Sequence, residues 1–190
     1  SGVRLKSSRL NRFPVSLVAI VLVFAMQATG QASVVINEIH YNPPAPDGRD
    51  LEFVELYNSG PTALAIAGWK LEGGIYFEFP AGAEIPASGY VVVCRDRELA
   101  AESYNVSQAE LFGNYEGSLD NDGDKVSLLD GFNAVADVVR YDDRFPWPSG
   151  SGSVDGGGAS LERSCVSAPS IMPTNWASAL GNRPTPLAAN

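Results

Sequence analysis

The stretch Val34–Asn58, VVINEIHYNPPAPDGRDLEFVELYN, constrains the fold more than any other part of this chain. Two runs, Val34–Tyr41 and Leu51–Asn58, mix β-branched and aromatic residues with near-alternating polarity, the pattern of a half-buried strand. Pro43, Pro44 and Pro46 lie between them, have no N–H to give to a sheet ladder, and so belong to the connection. Downstream the same grammar repeats. Ala63–Ile66, Trp69–Glu72, Ile75–Phe79, Tyr90–Cys94, Lys125–Leu129, Val135–Tyr141 and Ala159–Arg163 read as short strands broken by Gly, Pro and Asp turns. Asp130-Gly131-Phe132-Asn133 is a hairpin turn between two of them. One segment breaks the rule: Asp96–Tyr104 places a capping aspartate before good helix formers and predicts one short helix. Many short strands at this spacing predict an all-β sandwich or barrel.

The N-terminal residues speak to compartment. Arg4, Lys6, Arg9 and Arg12 precede an uncharged, mostly apolar run, Phe13–Met26, too short to span a bilayer comfortably and suited to the core of a signal peptide. Gly30 and Ala32 put small residues before a cut at Ser33. The expectation is export, secreted or to the cell surface, with residues 1–32 removed; an uncleaved anchor and a buried core helix are the other readings of that segment. Without those residues the chain carries 9 basic and 22 acidic residues, a net charge of −13. Such a surface repels phosphate backbones and anionic lipid, so nucleic acid is not an expected partner. The remaining length suits one domain, residues 33–180, followed by a Pro/Ala-rich linker or tail over 181–190.

The two cysteines, Cys94 and Cys165, leave two readings open. Export and an even count admit a disulfide between them, which in the loop-entropy model stabilises by about 4 kcal/mol. The apolar run around Cys94 equally suits a buried free thiol.

Ile36-Asn37-Glu38-Ile39 with Tyr41-Asn42-Pro43, then Glu52–Asn58, Ala67–Leu71, Phe79–Gly82, Gly89–Val93, Gly117-Ser118-Leu119, Gly123–Val126, Pro146-Trp147-Pro148, Asp155–Glu162 and Asn175-Trp176-Ala177 follow one another in a specific order. In that order and spacing the chain resembles the lamin-tail domain family, and within it the bacterial secreted members. The resemblance implies an immunoglobulin-like β-sandwich with one short helix, preceded here by the signal peptide. It also implies a non-catalytic module attached to larger secreted or surface proteins, with no catalytic motif to map. Trp69 and Trp176 are then core plugs.

The chemistry-bearing residues fit that picture. His40 is the one histidine, so a Ser-His-Asp triad would have to use it, and no Gly-x-Ser-x-Gly elbow is present. It reads as a partly exposed strand-end residue. Asp120, Asp122 and Asp124, with Asp142-Asp143 as a second acidic spot, are calcium candidates because hard cations take clustered carboxylates. The spacing is not that of an EF-hand, and Asp, Asn and Gly are also what a tight turn before Lys125 needs. Glu38, Glu52 and Glu55 are candidate paired carboxylates for glycoside hydrolysis, but Glu52 and Glu55 differ in strand parity and leave no obvious pair facing one cleft. Trp147 between two prolines, with Phe145 and Tyr76 as neighbours, is a candidate platform for stacking on sugars, or else a plug at the end of the sandwich. Gly156–Gly158 lacks the Lys and helix start of a phosphate loop, and Asn105-Val106-Ser107 is a glycosylation sequon.

The function expected is a non-catalytic binding or scaffolding module for adhesion, tethering or positioning an attached domain. Its contacts are expected in the loops 42–50 and 146–158, with an extracellular or surface protein, a glycan, or further domains of the same polypeptide. A carbohydrate-binding module is the alternative, and a metal-dependent hydrolase built on the loop aspartates ranks below it.

Overall fold

The computed structural model describes residue 2, residues 34–149 and residues 154–190; the expected signal peptide, its cut and the middle of the Gly/Ser loop lie outside the described residues. Seven strands come first: β1 (Val34–His40), β2 (Phe53–Asn58), β3 (Leu64–Ala65), β4 (Lys70–Gly73), β5 (Ile75–Glu78), β6 (Glu84–Ile85) and β7 (Tyr90–Cys94). After the helix α1 (Arg97–Tyr104) follow β8 (Leu111–Gly113), β9 (Glu116–Gly117), β10 (Gly123–Leu129), β11 (Val135–Asp142), β12 (Leu161–Arg163) and β13 (Trp176–Ser178). They build one sheet in the order β13-β12-β1-β2-β7-β8, a second in the order β11-β10-β4-β5-β9, and a small β3-β6 ribbon. Ladders are antiparallel except β7 with β8. This is the immunoglobulin-like sandwich with one short helix that the resemblance implies, and it settles the sandwich-or-barrel choice left by the strand pattern.

The core lies between the sheets because alternation along each strand sends one set of side chains inward. Val54 and Leu56 of β2, Val91 and Val93 of β7, Leu71 of β4, and Val126 and Leu128 of β10 are all buried there. Each contributes about 1.5–3 kcal/mol by leaving water. β1 departs from strict alternation. Its register with β2 is irregular between Ile36 and Glu38, so Ile36 and Ile39 both point into the core while Asn37 and Glu38 lie between them. A bulge of this kind re-aims side chains.

The first sheet also buries its outer face. A second apolar cluster joins Phe53, Val92 and Cys94 to Ala100 of α1 and Leu111, with Tyr104, Val106 and Leu187 packed around it. Asp96 caps α1, its carboxylate accepting from the Glu98 and Leu99 N–H groups at 3.0 Å each, as its sequence predicts. Residues 183–190, within the segment 181–190 expected as a linker or tail, lie along this face: Leu187 N–H donates to Glu55 Oε2 at 2.6 Å. Because both faces are covered, every residue of β1 is buried.

The disulfide is not formed. Cys94 is a buried free thiol and Cys165 an exposed one. β7 and β12 are separated in the sheet by β2 and β1. Three ladder spacings are about 14 Å, whereas a bridge needs Cα atoms about 4.4–6.8 Å apart.

Candidate functional site

A cavity of about 640 Å³ opens at one end of the sandwich. Four segments build it: the end of β1 with the loop after it, the residues leading into β2, Gly74 between β4 and β5, and the turn before β10. A short 3-10 helix, Gly48–Leu51, presents Arg49, which donates to Ser118 Oγ at 2.7 Å. Glu52 follows directly. It is buried and accepts from the Tyr115 hydroxyl at 2.8 Å and the Leu119 N–H at 3.0 Å. Burial raises the pKa of its carboxyl, and those two donors work against the rise. Arg49 and Glu52 thereby staple the proline-rich connection to the 115–119 segment.

Opposite them stands the acidic turn. Asp120 Oδ1 accepts the Asp122 N–H at 2.9 Å and Asp124 Oδ1 accepts the Lys125 N–H at 2.6 Å, so both carboxylates support the local backbone. Gly74 on the cavity wall lets Asp124 approach: a Cβ there would stand 1.6 Å from Asp124 Oδ2. Tyr41 forms the floor. Its ring stacks on Tyr141 with centroids 4.7 Å apart, its hydroxyl is buried without a hydrogen-bond partner among the described residues, and the Tyr141 hydroxyl donates to Asp120 O at 2.9 Å. Burial raises the Tyr41 pKa, and Asp155, Asp143 and Asp142 raise it further. Three carboxylates, Asp142, Asp143 and Asp155, therefore stand near the floor of the cavity. Asn42 ties the last arm, donating to Asp155 Oδ1 at 2.6 Å while its carbonyl accepts the Gly156 N–H at 3.1 Å.

The structure thus brings together the loop aspartates and the 42–50 connection, both singled out in the sequence. Among the described residues, no group of three or more His, Cys, Asp or Glu side chains is placed to hold a metal ion. Asp120 and Asp124 turn their oxygens to the N–H groups of their own turn, with Asp122 exposed between them.

The aromatic platform is not assembled. Trp147 is 7% exposed and packs against Trp176, ring centroids 6.1 Å apart, which makes it a plug of the core. Phe145 is fully exposed beside it. Tyr76 is half-exposed on β5, with β4 and β10 between it and β11, the strand that leads to Trp147; its hydroxyl donates to Glu78 Oε2 at 3.2 Å.

Two expectations about the outer face also change. His40 is buried, not partly exposed, and burial lowers its pKa to about 3, so the ring is neutral; its Nδ1 lies 3.0 Å from the Tyr104 hydroxyl. Glu52 and Glu55 do point to opposite sides, but Glu55 is not alone. It stands opposite Glu38 in the β1–β2 register, and Glu38 stands opposite Glu162 of β12. Only Glu38 and Glu55 were singled out in the sequence. Glu162 was missed because no sequence spacing reveals that β12 pairs with β1.

The family comparison agrees with this architecture. A model of the Lamin Tail Domain family matches residues 27–143, which run from before β1 to the end of β11. No curated protein matches the chain. With that match over most of its length and the two-sheet immunoglobulin-like sandwich beneath it, the chain belongs to the lamin tail domain family.

Proposed function

We propose that this is an exported, non-catalytic binding module that tethers or positions a cationic protein partner through the acidic cavity at the end of its sandwich. The observation that carries the reading is the cavity itself: a concave, polar surface where Asp120, Asp122 and Asp124 face Arg49 and Glu52 on a rigid scaffold. A net charge of −13 outside the N-terminal segment adds long-range attraction for a basic partner. Export rests on Arg4, Lys6, Arg9 and Arg12 ahead of the apolar run Phe13–Met26.

A non-catalytic role is supported by the groups the cavity offers. Its buried carboxyl, Glu52, is held by two donors, and the neutral His40 lies on the outer face of the first sheet. Nothing there pairs a nucleophile with a base. The glycan reading has less support now that Trp147 lies in the core. The hydrolase and calcium readings have less support because Asp120 and Asp124 hold their own turn.

The reading is tested with oligolysine as the probe. Asp122→Lys at the exposed rim should weaken salt-sensitive binding several-fold, while Glu72→Lys on β4 should change it little. Equal weakening by the two substitutions would remove the cavity from the proposal.

A further inference from the structure

Three glutamates stand side by side across three strands of the first sheet. Glu38 of β1 faces Glu55 of β2 on one side and Glu162 of β12 on the other. Their relative exposures are 0%, 0% and 6%, so the row is out of water. Like charges directly opposite one another destabilise a sheet, and burial disfavours each charged form. Among the described residues no ion pair reaches any of the three.

What covers them is the chain's own segment 183–190. Thr185 N–H donates to Glu38 Oε1 at 3.0 Å, and the Thr185 hydroxyl donates to Glu162 Oε1 at 3.1 Å. Leu187 N–H donates to Glu55 Oε2, and the Leu187 side chain joins the outer apolar cluster. Asn190 and Asn37 close the far end, Asn37 Nδ2 donating to Asn190 Oδ1 at 3.2 Å and Asn190 Nδ2 to Asn37 O at 3.1 Å. Every carboxyl of the row is thus engaged by this one segment. Two features show that the fit is not a relaxed one. Among the described residues Glu38 Oε2 is buried with no partner, and Leu187 holds φ at 64°, a left-handed conformation that leucine rarely adopts.

We propose that residues 183–190 are a latch that lies closed over Glu38, Glu55 and Glu162 while these carry their protons, and that lifts as they ionise. Lifting hydrates all three carboxylates and relaxes Leu187. It leaves the core between the sheets intact, because that core is built from the opposite faces of β1, β2 and β12.

The direction with pH follows from linkage. Burial, the largest cause, raises the Glu38 pKa to about 7 and the Glu55 pKa to about 9, and also raises that of Glu162. With the latch open these carboxyls face water and return toward the ordinary glutamate value, about 4.3. Groups whose pKa is raised in the closed state favour closure fully below the open-state value. That preference fades as pH climbs through the window up to the closed-state values. The other titratable groups on this face are His40 of β1, Tyr57 of β2, Tyr90 and Cys94 of β7, and Tyr104 of α1. Burial keeps His40 neutral, and it raises Tyr90, Cys94 and Tyr104 so that they stay uncharged across the window. The Arg163 guanidinium is committed to Asp137, and Arg183 of the latch is exposed.

The test is amide hydrogen exchange of the full chain, read by NMR at Thr185 and Leu187. After correction for intrinsic base catalysis, protection of both amides should fall at least about tenfold between about pH 6 and about pH 8, since each ionising group weakens closure about tenfold per pH unit. The Val126 and Leu128 amides in the second sheet should hold their protection. The double variant Glu38→Gln, Glu55→Gln keeps the shapes and removes two of the three charges, so its fall at Thr185 and Leu187 should shrink at least about tenfold, leaving only the part that Glu162 carries. Leu187→Ala removes the anchor, so it should unprotect Thr185 already at about pH 6 with the sheets intact. A flat wild-type profile overturns the latch whatever the variants do, and so does an equal fall in the double variant.

Discussion

Arg163 of the first sheet and Asp137 of the second form a buried ion pair between the sheets, and removing either partner should destabilise the sandwich. Arg163 Nη1 lies 2.7 Å from Asp137 Oδ2, with the two side chains 4% and 10% exposed. Their job is set by a gap in the ladder. β12 covers β1 only at Glu38 and Ile39, so the backbone of Ile36 has no strand partner on that side. Asp137 Oδ2 accepts the Ile36 N–H at 2.9 Å, and Arg163 Nη1 donates to Ile36 O at 3.1 Å. Arg163 also donates to Val166 O and Ala168 O, which fixes the turn after β12, and Ser170 Oγ donates to Asp137. Asp137→Ala leaves a buried guanidinium unpaired, a loss of about 3–5 kcal/mol. With a urea slope of about 2 kcal/mol/M for a domain this size, the midpoint should fall by about 2 M. Arg163→Met should cost a similar amount. The double variant Arg163→Met, Asp137→Leu should cost less than the sum of the two, with a coupling energy of about 1–3 kcal/mol. Equilibrium unfolding followed by tryptophan fluorescence gives all four corners of the cycle. Single variants that shift the midpoint by less than about 0.5 M, or that add without coupling, would refute the ion-pair argument.

Other outcomes follow from the same packing. Trp147→Ala should lose about 3–5 kcal/mol in thermal or urea unfolding, because the ring is buried against Trp176; a variant with wild-type stability would return Trp147 to the surface. A thiol reagent should label Cys165 in the native protein and Cys94 only after denaturation. Cys165 is exposed and its pKa is lowered chiefly by its hydrogen bond with the Ser167 side chain, whereas burial pushes the Cys94 thiol up to about 12. Denatured, unreduced protein should therefore titrate two thiols. Asp120→Ala should cost about 0.5–1.5 kcal/mol through the lost turn hydrogen bond, by the same amount in excess calcium and in chelator. A calcium-dependent difference would make Asp120 a ligand.

The fold was legible because it rests on local periodicity. Tyr90–Cys94 falls where its β-branched run places it, and the β10–β11 hairpin follows its Asp-Gly signal, with Asp130 Oδ1 accepting both the Phe132 and Ala134 N–H groups at 2.9 Å. β6, β8, β9 and β13 escaped notice because two or three residues carry too little periodicity to mark a strand. The rim of the cavity was legible as turn chemistry at Asp120–Asp124 and as a proline-rich connection. That these two segments converge over Tyr41 is tertiary information. The glutamate row was illegible for two reasons: the irregularity between Ile36 and Glu38 changes which residues face out, and residues 183–190 turn an outer face into a buried one. A sequence read for alternation expects that face to be wet; His40 was expected to be partly exposed because it ends its strand.

The central claim is that the acidic end cavity is where this module meets its partner. Amide chemical-shift mapping of the uniformly labelled protein during an oligolysine titration tests it directly. The account predicts shifts concentrated at Tyr41–Arg49 and Ser118–Asp124, abolished by salt. Shifts spread evenly over the acidic surface, or centred on the β4–β5 face around Glu72 and Glu78, would contradict it.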